Sequence, residues 1–364
     1  EGNVNDFMSF MHSHMGDMAA HPIVDQVISV PAEYTDLIGY NYMEGRYELD
    51  GQLHPDRVIV GSESGIASIH VNWPLVERFP YLIGDFSWTG WDYLGEAGIG
   101  AAKYSASANP FSDTSYPMAT AQTGDFDLTG YRLPMSYYRE IIFGLRKDPY
   151  IAVQDPSHYG EPLIRNPWII SDAIGSWSWP QYNGKPVVVE VYSDSEAVEL
   201  FKNGISLGCK TADEQNRFLF LFETTWEPGT LTAISRNGDE ETGRWELSSA
   251  EQDLQLMITQ EPSNRSELRN PYRKDYEIRY YSIELCDNKG TLAVDEDVQL
   301  TLTIDGNAEL LGFGSGNPKP SRNYNELITQ TWRGRAQLIL KTNPGTHAVI
   351  RITSDSGLTC AIKI

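Results

Sequence analysis

The sequence predicts a multidomain protein, α/β over residues 1–148 and all-β from there to residue 364. Two observations set this division. Apolar runs at 36–42, 57–63 and 81–88 alternate with helix-like and loop stretches, the pattern of βαβ units around parallel strands. After Asp148-Pro149 the pattern becomes short segments of period-two alternation, separated by turns such as Asn203-Gly204 and Pro228-Gly229.

The first 35 residues read as helical. Phe7, Phe10, Met11, His14 and Met18 recur at three-and-four spacing and would form one apolar face. The His and Met residues here (Met8, Met11, His12, His14, Met15, Met18, His21) fit a buried helix face rather than a copper site, because a single helix rarely converges ligands. Residues 98–130, rich in Gly, Ser, Asn, Pro and Thr, form a long excursion of the kind that tends to be functional. A helix is expected over 131–147.

Two antiparallel sandwiches then follow, 149–250 and 251–364. Their expected strands are 187–192, 197–201, 218–222 and 230–235 in the first. In the second they are 254–259, 276–286, 298–304, 336–340, 348–353 and 360–364. Each block is near the size of an immunoglobulin-like domain. Trp177 and Trp179 are expected in the sandwich core. Gly312–Pro320 is expected as a loop; no helix pattern follows it, so it is not a phosphate loop.

Composition narrows the function classes. A formal charge of −22 excludes nucleic acid and anionic membrane surfaces as partners and fits neutral substrates. No apolar run is long enough to span a bilayer. Cys209, Cys286 and Cys360 lack metal-type spacing, and at most one bridge, Cys286–Cys360, could form.

The chemistry concentrates at three strand ends. Gly61-Ser62-Glu63-Ser64 closes the run Arg57–Val60, and a carboxylate there suits a nucleophile at the mouth of a parallel barrel. Tyr42 and Trp88 close the strand-like runs on either side. A sugar site wants such a set: a carboxylate for the anomeric carbon, a phenol to orient it, and a ring for the sugar's apolar face. Period two puts Tyr40 and Tyr42 on one face of their strand and Asn41 on the other. For Tyr40, barrel core is the stronger reading.

The motifs GYNYMEGRY (39–47), HPDRVIVGSES (54–64) and GDFSWTGWDYLGE (84–96) together resemble glycoside hydrolase family 2, the β-galactosidase and β-glucuronidase group. GDFDLTGYRLPMSYYRE (124–140) resembles the closing barrel helix of that family; WSWP (177–180) and VELFKNGISLG (198–208) resemble the domain after its barrel. The resemblance implies the last three strands of a (β/α)8 barrel followed by two immunoglobulin-like β-sandwiches. It implies a retaining β-glycosidase, most often a β-galactosidase, with Glu63 as nucleophile and Tyr42 orienting it. Trp88, or Trp91 as the nearby alternative, would face the sugar. Asn41, Asp92, Glu96 and His54 are the further substrate-binding candidates, although capping or turn roles compete for Asp92, Glu96 and His54. No cofactor and no metal are implied by these residues.

The resemblance also implies what lies elsewhere. The family's acid/base follows an asparagine on an earlier strand, whereas the Asn-Glu pair here, Asn325-Glu326, falls in the C-terminal β region. The chain is therefore expected to be a C-terminal piece, inactive by itself, with its open barrel covered by a preceding half or by self-association. Family glucuronidases grip the sugar carboxylate with Asn-x-Lys; here Asp125-Phe126-Asp127 stands in that place, and its carboxylates would repel a uronic acid. Two rival readings stay open: a carbohydrate-binding or structural module, and one half of a split glycosidase.

Overall fold

The computed structural model describes all residues except 1–14, 105–115, 214–217, 263–275 and 344. Much of the expected amphipathic segment, including Phe7, Phe10, Met11 and His14, lies outside the described residues. What is described begins with the helices α1 (Met15–Ala20) and α2 (Pro22–Ala32). His21 caps α2 by accepting from the Ile23 N–H at 3.2 Å.

Three strands, β1 (Ile38–Asn41), β2 (Ile59–Ser64) and β3 (Leu82–Ser87), form one parallel sheet in chain order. The helices α3 (Arg46–Leu53) and α4 (Ile69–Arg78) make the crossovers. Tyr40, Tyr47, Ile59 and Leu82 pack between the sheet and its helices. A polar network shares this layer. Arg46, fully buried, is ion-paired with Asp50 and lies 2.5 Å from Asp25. Asp50 also accepts from Tyr40 and from Arg57, and Asp85 accepts from Tyr47, Ser64 and Asn72.

On α2, by contrast, no side chain is buried: Ile23, Val27 and Val30, spaced to share one face, are all exposed. Ile83 and Phe86 of β3 are exposed as well. The helix expected over 131–147 is shorter, α5 (Pro134–Ile142). Its Tyr138, Ile141 and Ile142 join Ile66 and Ile69 in a core shared with Tyr150, Ala152 and Tyr192 of the following region. The first β region is thus anchored by apolar packing to α5 and to the start of α4.

That region is a two-sheet antiparallel sandwich. The strands β4 (Tyr150–Val153), β5 (Pro186–Tyr192) and β8 (Leu219–Thr225) form one sheet. The other runs β10-β9-β6-β7, with β6 Ala197–Lys202, β7 Ile205–Thr211, β9 Thr230–Asn237 and β10 Glu240–Ser248. Trp177, Trp179, Val189, Leu200, Phe220 and Leu231 fill the space between them.

A second sandwich pairs the sheet β11-β12-β16-β14 with β15-β13-β17-β18. Their ranges are β11 Gln255–Gln260, β12 Glu277–Cys286, β13 Gln299–Gly306, β14 Glu309–Gly314, β15 Ile328–Gln330, β16 Arg335–Thr342, β17 Ala348–Ser354 and β18 Thr359–Lys363. Alternation on the inner faces builds its core from Tyr281, Ile283, Leu302, Leu338 and Ile350.

Three differences from expectation have physical reasons. β14 runs through Gly312–Gly314, read as loop because glycines interrupt its apolar pattern. β7 shows no alternation because nearly all of it is exposed. Tyr40 and Tyr42 do not share a direction, because the register shifts between Tyr40 and Asn41 and Tyr42 adopts φ +52°. Cys209, Cys286 and Cys360 are all free thiols, so the one bridge their positions allowed is not formed.

Candidate active site at the strand ends

The last residues of the three parallel strands come together as side chains. Asn41 pairs with Glu63 across the sheet, the Tyr42 N–H donates to the Glu63 carbonyl at 2.8 Å, and the Trp88 N–H donates to the Ser64 carbonyl at 2.8 Å. Glu63 is half-buried. Its Oε2 accepts from Asn41 Nδ2 at 3.0 Å. Ser62 Oγ donates to Asn41 Oδ1 at 2.8 Å, which fixes the amide with its N–H side toward the carboxylate.

The Tyr42 phenol is a second neighbour of the Glu63 carboxylate. Burial and the adjoining carboxylate push the phenol far above its ordinary value of 10.0, so it stays protonated and can donate. The left-handed backbone at Tyr42, costly for a bulky residue, aims the ring at Glu63 rather than along the strand. The register shift thus turns both Asn41 and Tyr42 toward one carboxylate, where strict alternation would have separated them.

A residue not singled out in the sequence completes this arrangement. Trp168 Nε1–H donates to Tyr42 Oη at 2.7 Å, and the two rings meet edge to face at 5.8 Å. Trp168 sits 126 positions further along the chain, between α5 and β5. Its turn is built by Asn166, whose Oδ1 accepts the Trp168 and Ile169 N–H groups. The turn is clamped to the start of α4: the Pro167 carbonyl accepts the Ala67 N–H at 3.1 Å, and a Cβ on Gly65 would lie 2.1 Å from that carbonyl oxygen. Only glycine fits there. With its acceptor side occupied by Trp168, the Tyr42 hydroxyl is left to direct its proton at Glu63. The Asn-Pro turn was legible; a contact over such a span was not.

On the β3 side, Trp88 Nε1–H donates to Tyr93 Oη at 3.2 Å, and their rings meet edge to face at 5.7 Å. Tyr93 in turn donates to Glu96. Burial, with Glu96 beside it, pushes the Tyr93 phenol up to about 12. The Trp88–Thr89 peptide is cis. Tyr93 also acts electrostatically on Tyr42, so the two groups are neighbours. Tyr93 lies inside the motif 84–96, but one tyrosine among 20 carries no signal of its own.

Three expectations are corrected. His54 terminates α3 and binds Asp25 at 2.8 Å, ahead of β2 rather than at its end, so it is not brought to Glu63. Asp92 is buried, and its carboxylate accepts the Gln122 N–H at 2.8 Å, tying two loop segments together rather than facing a ligand. The carboxylates of the Asp125-x-Asp127 stretch are also committed. Asp125 pairs with Arg139 at 2.7 Å; Asp127 accepts from the Thr129 and Tyr131 N–H groups and has Arg335 at 3.7 Å. With cations beside both, their repulsion of a uronic acid no longer follows. Glu326, of the Asn325-Glu326 pair, is held by Asn323 and Arg322 between β14 and β15.

Comparison with known proteins agrees with this organisation. Residues 184–243 match a domain of unknown function (DUF4982), and residues 266–360 match glycoside hydrolase family 2 C-terminal domain 5. A β-galactosidase of Bacteroides ovatus is 24% identical over 304 residues, covering 80% of this chain and 30% of that protein. A Formosa agariphila protein with a provisional β-glucuronidase name is 22% identical over 286 residues, 78% of this chain and 24% of its own length. The solved structure of a glycosyl hydrolase family 2 member from Bacteroides cellulosilyticus superposes with a TM-score of 0.77 at 31% identity, over 90% of this chain and 42% of that one. The chain thus spans less than half the length of these relatives. On these matches residues 266–360 carry a family 2 C-terminal domain, and the chain resembles the C-terminal portion of glycoside hydrolase family 2 proteins.

Proposed function

We propose that this chain is the nucleophile-bearing part of a retaining β-glycosidase, and that Glu63 is the nucleophile. The observation that carries the reading is Glu63 at the end of the middle parallel strand, hydrogen-bonded by Asn41 and with the Tyr42 phenol beside it. In a retaining mechanism one carboxylate attacks the anomeric carbon and forms a glycosyl-enzyme, while a second carboxyl group protonates the leaving oxygen and then activates water. Asn41 and Tyr42 orient the attacking oxygens and oppose their negative charge until attack disperses it. Trp88, fixed by Tyr93, offers its ring to the sugar, and Glu96 stands beside it as a hydroxyl partner.

In this reading the three parallel strands are the last of a (β/α)8 barrel, residues 1–148, and the sandwiches 149–250 and 251–364 are immunoglobulin-like. The preceding barrel strands would supply the acid/base and cover the exposed apolar residues of α2 and β3. The substrate is a β-galactoside, a reading that rests on the name of the Bacteroides ovatus relative; the corrected Asp125-x-Asp127 argument no longer supports it.

The test compares the full product of the gene on aryl β-galactoside and aryl β-glucuronide. Galactoside hydrolysis with net retention is expected, together with loss in Glu63→Gln and recovery of Glu63→Gly by azide as the inverted glycosyl azide. A Glu63→Gln enzyme of near-normal rate removes the nucleophile assignment; preference for the glucuronide removes the substrate. The 364-residue chain alone is expected to be inactive, and turnover by it would overturn that expectation.

A further inference from the structure

The second sandwich carries a site-like cavity on a face that should be ordinary surface. Tyr281, Ile283 and Leu285 of β12 and Ala336, Leu338 and Leu340 of β16 point into its core. The intervening residues therefore face outward. They stand in opposed pairs: Glu284 across from Arg335, Ser282 from Gln337, Tyr280 from Ile339. Over them passes the segment that follows the strand-end site. Gln337 donates to the Thr129 carbonyl at 2.9 Å, and the Arg335 guanidinium lies 3.0 Å from the centre of the Tyr131 ring. A cavity of about 520 Å³ lies along this seam, within the usual size of small-molecule sites.

Trp91 lines this cavity, three residues beyond Trp88, and is 57% exposed. The indole is nonetheless fixed. It stacks on Phe126 at 5.7 Å and 17°, and Nε1–H donates to the Leu128 carbonyl at 3.4 Å. It also lies over Gly130, where a Cβ would come within 2.7 Å of the ring. A rigid, exposed indole is a stacking platform.

The polar groups of the cavity specify the class of ligand. Arg335 has Asp127 beside it, and Arg132 is paired with Glu140 at 2.7 Å, so an anion finds no uncommitted cation here. Arg335 nevertheless keeps its Nε without a hydrogen-bond partner among the described residues. Across from it the Glu284 carboxylate lines the cavity as a hydrogen-bond acceptor. Signs that nearly balance, aromatic walls and unmet hydrogen-bonding capacity suit a neutral polyol.

We propose that this seam is a second carbohydrate site, separate from Glu63. It binds a neutral saccharide on Trp91, with Glu284, Arg335 and Tyr280 as hydrogen-bond partners of its hydroxyls. It does not depend on the glycosidase reading, since binding here involves neither Glu63 nor its neighbours.

The experiment is calorimetric titration of the 364-residue chain with lactose and with cellobiose. At least one is expected to bind at millimolar concentration, equally to wild type and to Trp88→Ala, which probes the strand-end site. Glu284→Gln, which keeps the shape, and Tyr280→Ala, at an exposed position, are each expected to weaken binding at least about tenfold with melting temperature unchanged. Trp91→Ala should do the same. Absence of binding by both sugars overturns the proposal. So does binding that survives Glu284→Gln and Tyr280→Ala, or that is lost in Trp88→Ala alone.

Discussion

The parallel sheet presents carboxylates in two settings. Between the sheet and its helices, Asp25 and Asp50 are matched by Arg46, Arg57 and His54. At the strand ends, the partners the structure gives Glu63 are neutral, the Asn41 amide and the Tyr42 phenol. In the function proposed for Glu63, the difference separates structural from chemical use of the same side-chain type. A carboxylate paired with a guanidinium in a buried layer is committed to holding helices in place. One held by neutral donors is oriented while its charge remains available for attack. Asp125, inside the same family motifs, falls on the committed side of this line.

The largest effect expected from breaking the contrast is at its chemical pole. Glu63→Gln in the full enzyme should lower kcat by about 10³-fold or more, read as initial rates on an aryl glycoside. At the structural pole, Arg46→Met strands Asp50 and Asp25 without their shared cation. A loss of about 3–5 kcal/mol is expected from urea unfolding, and a variant within ~1 kcal/mol of wild type would mean that the pairing is not what holds this layer.

Smaller changes sharpen the contrast. Trp168→Phe keeps the ring and removes the N–H that sets the Tyr42 hydroxyl. It should lower kcat about tenfold, equivalent to ~1.4 kcal/mol, while KM and melting temperature stay near wild type. A fall in stability instead would make Trp168 a packing residue only. The smallest effect concerns acid. The hydrogen bond from His54, then that from Arg46, holds the Asp25 carboxyl below its usual 3.8. A depressed carboxylate stabilises the fold above its unfolded value and loses that contribution as pH falls through its folded value. The stability gap between wild type and Asp25→Asn should therefore be full above pH 3.8 and close below it, with a plateau under ~1 kcal/mol for this partly exposed group. A gap that widens in acid would reverse the assigned sign.

Much of this was legible in the chain, and the misses share a cause. Period-two alternation gave the sandwich strands wherever one face is buried, and it failed at β7, where neither is. The strand-end set of Tyr42, Glu63 and Trp88 was readable because each closes an apolar run. The approach of Asn41 to Glu63 depends on a register shift, which alternation cannot express. His54 and Asp92 had suitable chemistry in suitable motifs, yet one precedes its strand and the other turns inward to a backbone N–H. Residue type and spacing tell which groups lie near a strand end; they do not tell which way a loop carboxylate turns. Trp168 was beyond reach for a simpler reason: its partner lies 126 residues away.

The turn 166–169 has a consequence for protein engineering. Because it carries the indole that faces Tyr42, the boundary at which a barrel could be cut from its β domains and joined to others does not fall at Asp148. A chimera spliced there would inherit whatever its new neighbour presents to Tyr42. A graft meant to preserve the site has to bring Asn166, Pro167 and Trp168 with the barrel, and to keep Gly65 as the seat on which they rest.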